Sequence, residues 1–309
     1  ENRVWLGKMD SKIVIKEVNR NTKFEKLLFL LQTLSSIKNN ECIVILGATI
    51  IKLASLVRKL FLKKWTIISW IHYSLINQDM FDPQNIKLAD EHWAISTPIK
   101  HQLMYLGIPE SKIRLLLNHV SKYDGPLNSP EYTSTLKLVY VGKVMLYGQK
   151  NLIELFNGIR EYPEKIHVDL FGADTSDGKV SDYLTKLKII EKCMLHGWNK
   201  NPWEKIINEV HPNALVLTSK YEGLPMVMIE AMERGIPCLV ADFSGYEDVL
   251  INGINGLTYK SGDISDFIDK MMLLKEKHFS PELVNKSTKK FEDSEYFKRL
   301  DRAVNMIGK

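Results

Sequence analysis

Two acidic residues, Glu222 and Glu230, are spaced eight residues apart in the segment YEGLPMVMIEAMERGIP, which spans residues 221–237. Pro225 suits the first position of a helix, because that position needs no backbone N–H donor. The segment therefore predicts a helix that begins at Pro225 and ends at Gly235. Glu230 falls inside this helix among apolar neighbours, where an unpaired carboxylate is costly. Pairing with the hydroxyl groups of a bound sugar would satisfy that carboxylate.

The turn before this helix is a second place where a ligand could bind. Gly223 permits an unusual backbone conformation between the first acid and the helix. We expect the free amides of Met226, Val227 and Met228 to point out of the helix start, an arrangement that favours an anion such as a phosphate. Glu222, in the turn itself, would then contact a different part of the same ligand.

Short apolar runs alternate with helix-like segments along most of the chain. The runs that predict strands cover residues 12–18, 42–47, 66–72, 92–96, 113–118, 136–142, 166–172, 193–197, 214–219 and 237–241. Those after the middle of the chain are continuously apolar, as in strands covered by helices on both faces. Residues 117–136 lose this pattern and gain Pro, Gly, Asn and Ser, a composition typical of a linker. The alternation predicts an α/β protein of two Rossmann-like, doubly wound domains that bind ligands at the carboxyl ends of their strands.

The spacing of Glu222 and Glu230, with Gly-Leu-Pro after the first acid, resembles the signature of the family-four retaining glycosyltransferases, which have the GT-B fold. In that family the second acid binds the nucleotide ribose and the first contacts the donor hexose. The resemblance therefore implies a ribose contact for Glu230 and a hexose contact for Glu222. It also implies that the sugar and phosphate site is lined by Gly223, Leu224 and Pro225. The alternative is a surface acid and a helix-end acid without any ligand.

Two further motifs fit the same family. In YVGKVMLYGQKNL, residues 140–152, Lys143 follows the glycine that ends a strand and Lys150 comes at a predicted helix start. Family members bind the donor diphosphate at these two places, usually with Arg at the first, and Lys keeps that charge but loses the two-pronged fork. His72, in SWIHYS, matches a family histidine beside the donor sugar. The alternatives are solvated surface lysines and a satisfied buried histidine.

The resemblance implies that a hexose, with galactose or glucose favoured, is transferred from a UDP-sugar to a glycan hydroxyl with retention at the anomeric carbon. The segments ISWIHYSL, HWAIS and HGWNKNPWEKI are similar to those of the bacterial lipopolysaccharide 1,6-galactosyltransferases. The implied acceptor is a glycan or glycolipid of the bacterial cell surface, such as lipopolysaccharide core or a capsule precursor. Lysines and helix amides would stabilise the departing diphosphate. Because no well-placed Asp-x-Asp occurs, we expect no metal and no cofactor besides the UDP-sugar co-substrate.

Three other functions remain open at this point. A GT-B nucleotide-sugar epimerase would use water in place of a sugar acceptor, and would need additional acids in the first domain. A non-catalytic protein that binds nucleotide sugars would share the same motifs. A nucleic-acid-binding protein is suggested only by the net charge of +5. No aromatic-basic interleaving supports nucleic-acid binding, so we expect no nucleic-acid partner.

The positive charge is concentrated in the first part of the chain. Residues 1–120 carry 17 Lys and Arg against 10 Asp and Glu, whereas residues 121–309 carry 25 against 27. The stretch IKLASLVRKLFLKKW, residues 51–65, is typical of a basic amphipathic helix on an anionic membrane surface, although an ordinary packed helix fits equally well. No apolar run reaches the roughly 18 residues of a spanning helix. We therefore expect a cytoplasmic protein that is peripheral on the inner face of the cell membrane if this stretch binds lipid.

These patterns divide the chain into three parts. Residues 1–120 form the expected acceptor-side Rossmann-like domain, and residues 121–290 form the expected nucleotide-sugar-binding domain. Residues 291–309 predict a C-terminal helix that packs back toward the first domain. The resembled family opens with a strand and a Gly-rich loop that we do not find before the run at residues 12–18. We therefore expect the first domain to lack them.

Overall fold

The computed structural model describes residues 22–76, 81–131 and 133–307, so the strand predicted at residues 12–18 lies outside the described residues. Within them the chain forms two α/β units around parallel sheets. The strands are β1 (Cys42–Ile45), β2 (Thr66–Ser69), β3 (Glu91–Ala94), β4 (Ile113–Leu115), β5 (Leu136–Val141), β6 (Ile166–Phe171), β7 (Cys193–Gly197), β8 (Ala214–Leu217), β9 (Cys238–Ala241) and β10 (Gly256–Tyr259). The α-helices are α1 (Lys23–Ser36), α2 (Ala48–Leu60), α3 (Thr97–Tyr105), α4 (Leu152–Glu161), α5 (Lys179–Lys186), α6 (Pro202–Lys205), α7 (Met226–Met232), α8 (Ile264–Glu276), α9 (Pro281–Lys286) and α10 (Asp293–Asn305).

The first sheet has the order β1-β2-β3-β4, so each strand lies beside the next one in the chain. Helix α2 packs on it through a buried stripe with helical spacing that includes Ile51, Ala54 and Val57. Helix α3 begins at Thr97, because the Ser96 side chain accepts a hydrogen bond from the amide of Ile99 and so caps the helix. Over the described residues this sheet winds in one direction only.

The second sheet has the order β10-β9-β8-β5-β6-β7, and all of its strand pairs are parallel. The chain winds outward from β5 to β7 and then returns to place β8 on the other side of β5. The winding direction therefore reverses between β5 and β8, and ligands of doubly wound sheets bind outside the carboxyl ends of strands at such a switch point. The predicted two-unit α/β fold with parallel sheets is confirmed.

Two elements differ from the sequence expectation. Strand β10 was not predicted, because its sequence GLTY is short and begins with a glycine. The segment SDYLTKLKIIEK, residues 181–192, has the spacing of a single helix, but α5 ends at Lys186, since Lys188 adopts a positive φ of 58° and the chain continues as a short 3-10 turn, Ile190–Lys192. A helix cannot continue through a left-handed residue, and apolar periodicity alone does not reveal that interruption.

The chain crosses between the two units twice. The first crossing has no helix or strand between β4 and β5 among the described residues, and its Val120 amide donates to the Phe291 carbonyl on the second crossing at 3.0 Å. After the second crossing, α10 returns to the first sheet. Its Tyr296 and Ala303 pack in a small apolar cluster with Ile68, Trp93 and Leu116.

A buried acid at the end of α7 holds both crossings. Glu233 is 2% exposed, and its Oε2 accepts a hydrogen bond from the Tyr123 amide at 3.1 Å. Its other carboxylate oxygen accepts from the Thr288 hydroxyl, and Asn285 donates to its backbone carbonyl at 2.5 Å. Since a buried carboxylate is tolerated only when donors satisfy it, Glu233 fixes the position of α7 relative to both connections.

The buried His92 generates a testable pH dependence of stability. His92 is 1% exposed, its Nδ1 lies 2.7 Å from the Ser69 hydroxyl, and burial lowers its pKa from 6.5 to about 4. The folded protein thus binds this proton more weakly than the unfolded chain. The free energy of unfolding therefore keeps this contribution above about pH 6.5 and loses it as the pH falls toward 4. The loss at pH 4.5, relative to neutral pH, is about 2–3 kcal/mol.

Chemical denaturation between pH 7.5 and pH 4.5 measures this contribution. His92→Asn keeps a polar atom near the serine and removes the titration, so its free energy of unfolding should fall less with acid than that of the parent protein. His101→Asn, which changes an exposed histidine of α3, should leave the parent pH profile unchanged. Parallel profiles for the parent protein and His92→Asn would refute the assignment.

Candidate active site

The loop after β8 places Glu222 in a web of donors. Its Oε1 accepts hydrogen bonds from Lys150 Nζ at 2.6 Å and from the Ser219 hydroxyl at 2.8 Å. Its Oε2 accepts from Gln149 Nε2 at 3.1 Å. The side chains of Lys150 and Glu222 are 18% and 12% exposed, so the ion pair is largely withdrawn from water. Two residues predicted to bind different parts of a donor are therefore direct partners.

The topology of the second sheet explains this meeting. Lys150 belongs to the connection that follows β5, and Glu222 follows β8, which is the neighbour of β5 at the switch point. The buried Thr218 hydroxyl lies 3.0 Å from the carbonyl of Lys150 and 3.1 Å from that of Asn151. The amide of Lys220 donates to the Gln149 carbonyl at 2.8 Å. These bonds fix the positions of the two loops relative to each other.

Gly223 is required for a different reason than the sequence suggested. It does not have a positive φ, so the expected unusual turn is wrong. A Cβ at this position would lie 3.1 Å from the His72 carbonyl oxygen and 3.3 Å from the Tyr73 Cα. The Ser96 hydroxyl also donates to the Gly223 carbonyl at 2.6 Å. The glycine therefore allows the backbones of the two units to approach closely beside Glu222.

His72 lies on the first unit at this contact. Its ring is solvent-exposed on one side and packs against Trp70, with ring centroids 4.6 Å apart. Its Nδ1 lies 3.4 Å from Asn118 Nδ2. Partial burial lowers the pKa of His72, so the imidazole is neutral at neutral pH. A neutral ring can both donate and accept a hydrogen bond to a sugar hydroxyl.

The start of α7 differs from the expectation. Leu224 and Pro225 are buried, and Pro225 is the residue before the helix instead of its first residue. The amide of Met226 donates to the Leu224 carbonyl at 2.9 Å, and the amide of Met228 donates to the Pro225 carbonyl at 3.0 Å. Two of the three amides expected to be free for an anion are therefore already engaged, in a helix of only seven residues.

An open cleft of about 710 Å³ lies at the carboxyl ends of β5 and β6, beside the start of α7. It contains Lys143 and Glu230 of the predicted residues, whereas Glu222, Lys150 and His72 lie outside its lining. Its walls are formed by His119, Val120, Ser121, Val141, Gly142, Lys143, Phe171, Gly172, Ala173, Trp198, Asn199, Lys200, Pro202, Trp203, Met226, Glu230, Glu233 and Arg234. The predicted residues thus form two groups, one in the cleft and one at the contact between the units.

Glu230 is not an unpaired acid. Its Oε2 accepts a hydrogen bond from Trp203 Nε1 at 3.0 Å, and its backbone carbonyl accepts from an Arg234 Nη1 at 2.8 Å. Lys143 is exposed, so its ammonium group is accessible to a ligand in the cleft. A cation and a held carboxylate on one cleft wall are suited to bind a molecule that carries both anionic and hydroxyl groups.

Several residues that build this site were missed by the sequence reasoning. Gln149 lies within the lysine motif at residues 140–152 and Ser219 lies two residues before the acidic segment, so their polar side chains beside the predicted residues were a usable signal. Trp203 and Arg234 contact Glu230 only through the tertiary fold, and no local pattern reveals them. Trp198 lines the cleft and is 72% exposed, which is unusual for such a large apolar ring.

The chain is similar to known proteins in both sequence and structure. A family model described as glycosyl transferases group 1 matches residues 128–291. The lipopolysaccharide 1,6-galactosyltransferase of Escherichia coli is 33% identical over 242 residues, which cover 77% of this chain and 67% of that protein. The enzyme of the same name from Salmonella typhimurium is 32% identical over 255 residues, which cover 81% of this chain and 70% of that protein.

Solved structures also resemble this chain. The apo form of the lipopolysaccharide outer core galactosyltransferase WaaB matches with a TM-score of 0.85 and 29% identity, covering 98% of this chain and 86% of that one. Anabaena HepE in complex with UDP-glucose matches with a TM-score of 0.74 and 13% identity, covering 94% of this chain and 86% of that one. At that identity, the HepE match shows likeness of fold alone.

The GT-B class is defined by two α/β units with parallel sheets, here with a cleft at the switch point of the second unit. The family match extends over more than half of the chain, and the two relatives exceed 30% identity. The chain therefore belongs to the group 1 family of glycosyltransferases. This confirms the family that the spacing of the two glutamates predicted.

The pair formed by Lys150 and Glu222 generates a prediction about stability. Lys150→Met would leave a largely buried carboxylate with neutral donors only, so we expect the free energy of unfolding to fall by about 1–3 kcal/mol. Adding Glu222→Gln to Lys150→Met should restore part of the lost stability. The double-mutant cycle in urea unfolding should therefore give a coupling energy of about 1 kcal/mol or more.

The exposed pair of Arg160 and Glu161 is the matched control, with side chains 49% and 50% exposed. The same cycle at that pair, with Arg160→Met and Glu161→Gln, should show little coupling because water screens both charges. Additive losses at Lys150 and Glu222 would mean that their contact contributes nothing to the folded state.

Proposed function

We propose that this glycosyltransferase moves galactose from UDP-galactose to a hydroxyl group of lipopolysaccharide core, with retention at the anomeric carbon. The observation that carries the proposal is the pairing of Lys150 with Glu222 at the switch point, next to a cleft that holds Lys143 and Glu230. The choice of galactose and of lipopolysaccharide is supported by the two relatives above 30% identity, both described as lipopolysaccharide 1,6-galactosyltransferases.

The nucleotide is assigned to the cleft. Glu230 offers its carboxylate to the ribose hydroxyls, and Lys143 supplies positive charge for the diphosphate. The exposed ring of Trp198 provides an apolar face suited to stacking on a flat base. HepE, which shares the fold, has been solved with UDP, with UDP-glucose, and with UDP and glucose, which supports a uridine nucleotide in this fold.

The hexose is assigned to the contact between the units, where the backbone of His72 approaches Gly223, the residue after Glu222. The anomeric carbon exchanges its bond to the diphosphate oxygen for a bond to the acceptor oxygen. The proton of the acceptor hydroxyl passes to the departing diphosphate, so the products are the glycoside and UDP. Lys150 and Lys143 stabilise the negative charge that develops on the leaving group. Glu222 already accepts three hydrogen bonds, which suits it to positioning better than to attack on carbon.

Transfer assays with purified protein test this proposal. We expect UDP-galactose and a galactose-deficient lipopolysaccharide core to give a galactosylated product and UDP, with slower turnover of UDP-glucose. Glu230→Ala should weaken UDP binding by about 1–3 kcal/mol, the scale of hydrogen bonds to a charged group. Because the lysines provide the positive charge, the rate in EDTA should equal the rate with manganese.

Three outcomes of the same assays contradict the proposal. Conversion of the nucleotide sugar to its epimer without transfer would indicate an epimerase. Binding of UDP-galactose without any turnover on lipopolysaccharide cores would indicate a binding protein. Activity abolished by EDTA and restored by manganese would mean that the lysines alone do not stabilise the diphosphate.

We also propose that the first unit contacts an anionic membrane surface, in a narrower form than the sequence suggested. Helix α2 ends at Leu60 instead of running through residues 51–65. Two of the expected cations bind protein groups: Arg58 pairs with Asp90, and Lys63 donates to the Ile37 carbonyl at 3.1 Å. No helix among the described residues is long and apolar enough to cross a bilayer.

What remains is an apolar tip with flanking charges at the end of α2. Leu60, Phe61 and Leu62 are 77%, 59% and 83% exposed, and Lys59 and Lys64 on either side are exposed too. Large apolar side chains between lysines suit the boundary between lipid headgroups and acyl chains. A lipid-anchored glycan acceptor would be presented at that same boundary.

Sedimentation with vesicles tests the membrane proposal. Lys59→Gln with Lys64→Gln should weaken binding to phosphatidylglycerol vesicles by roughly 10- to 30-fold at low salt, because each surface lysine contributes about 1 kcal/mol. Leu60→Ser with Leu62→Ser should weaken binding to a similar degree without changing the net charge.

The matched control removes two exposed lysines from the second unit, Lys186→Gln with Lys188→Gln, and should bind vesicles like the parent protein. Equal losses for the two lysine pairs would mean that only net charge matters. A parent protein that does not sediment with anionic vesicles at low salt would exclude the proposal.

A further inference from the structure

The indole of Trp203 has a hydrogen-bond partner that the other buried indoles among the described residues do not have. Trp203 is 7% exposed, and its Nε1 donates to Glu230 Oε2 at 3.0 Å. In Trp65, Trp70 and Trp93 the Nε1 atom is buried without any partner. A protein partner for the indole N–H therefore distinguishes Trp203 from these three tryptophans.

The ring of Trp203 is fixed by a cation. The Arg234 guanidinium carbon lies 5.0 Å from the centroid of the Trp203 ring and 4.4 Å from that of Tyr123, so the cation packs against both rings. The same guanidinium donates to the Glu230 carbonyl at 2.8 Å. Helix α7 thus carries the carboxylate, and the cation that holds the indole against it follows four residues later, just after the helix ends.

Trp203 packs in the hydrophobic core and also lines two cavities. One side of the residue lines the large cleft, and it also lines a second cavity of about 260 Å³ together with Tyr123 and Arg234. A tryptophan that served packing alone would be surrounded by apolar side chains. Here the residue lines two cavities, and its only side-chain donor bonds to the carboxylate of Glu230.

The chemistry of the indole suits a positioning role. An indole N–H is a donor only and keeps its proton at any working pH, so it holds Glu230 Oε2 without neutralising the carboxylate. The second oxygen, Oε1, has no hydrogen-bond partner in the described part of the chain, and Glu230 lines the cleft, so this oxygen is available as an acceptor. Fixing one oxygen of a planar carboxylate fixes the direction of the other.

We propose that Trp203 is a positioning residue for the donor nucleotide: its N–H orients Glu230 so that Oε1 accepts the hydrogen bonds of the ribose hydroxyls. This inference rests on the function proposed above, in which Glu230 binds the ribose. Without the indole N–H the carboxylate would rotate between several orientations, and a ribose that binds would have to select one of them.

The test compares UDP with 2′,3′-dideoxy-UDP, which lacks both ribose hydroxyls. Trp203→Phe keeps an aromatic ring and removes the N–H. We expect it to weaken UDP binding about 5- to 20-fold in calorimetry, less than the complete loss of a hydrogen bond to a charged group, because the carboxylate itself remains. Binding of the dideoxy nucleotide should stay within about twofold, because it makes no contact with the oriented oxygen.

A double variant and a matched control sharpen the result. Trp203→Phe combined with Glu230→Gln should bind UDP no more weakly than Glu230→Gln alone, since the indole acts only through the carboxylate. Trp93→Phe changes a tryptophan that is 5% exposed and has an unpartnered Nε1, so it should leave both affinities unchanged. If Trp203→Phe does not fold, benzothienylalanine at position 203 keeps the bicyclic ring without its N–H and should give the same pattern.

Equal weakening of UDP and dideoxy-UDP would show that Trp203 contributes packing only, and unchanged UDP binding would show that its N–H is not used. Either result overturns the positioning role. If Glu230→Gln weakens UDP selectively while Trp203→Phe does not, the positioning role fails and the assignment of the ribose to Glu230 stands. A parent protein that binds no UDP would contradict both.

Discussion

A carboxylate withdrawn from water must be given hydrogen-bond donors, and the segment around α7 carries three acids under that constraint. Glu222 is held by Lys150 and two neutral donors, Glu230 by Trp203, and Glu233 by Tyr123 and Thr288. Each acid thereby connects α7 to a different part of the molecule. The bonds of Glu222 lie at the switch point, that of Glu230 lies on the cleft wall, and those of Glu233 reach the two crossings between the units.

The three connections explain why binding and architecture are inseparable here. Glu233 sets where α7 lies relative to both crossings, while Gly223, a few residues before α7, touches the first unit through Ser96. A second hydrogen bond between the units is donated by the amide of Thr97 to the Asp248 carboxylate at 2.5 Å. A ligand that binds Glu230 and Lys150 together would therefore contact the loops that determine how the two units meet.

Much of this was predictable from the sequence, for physical reasons that differ between residues. The strands of the second sheet are continuously apolar, and the Glu222 and Glu230 spacing marks a loop followed by a helix, so the fold and the two acids were accessible. The direct pairing of Lys150 with Glu222 was not, because strand order rather than sequence distance brings β5 beside β8. Gly223 was misjudged since a glycine needed for close approach looks the same in sequence as one needed for a turn.

The central claim is that one nucleotide spans the cleft, with its ribose on Glu230 and its diphosphate beside Lys143 and Lys150. A crystal structure with a non-transferable UDP-galactose analogue measures this most directly. The account predicts ribose hydroxyls within hydrogen-bond distance of Glu230 Oε1 and phosphate oxygens within reach of both lysines, with the Trp203 bond kept. A nucleotide bound elsewhere, or with its ribose on Glu222 and its diphosphate away from both lysines, would contradict it.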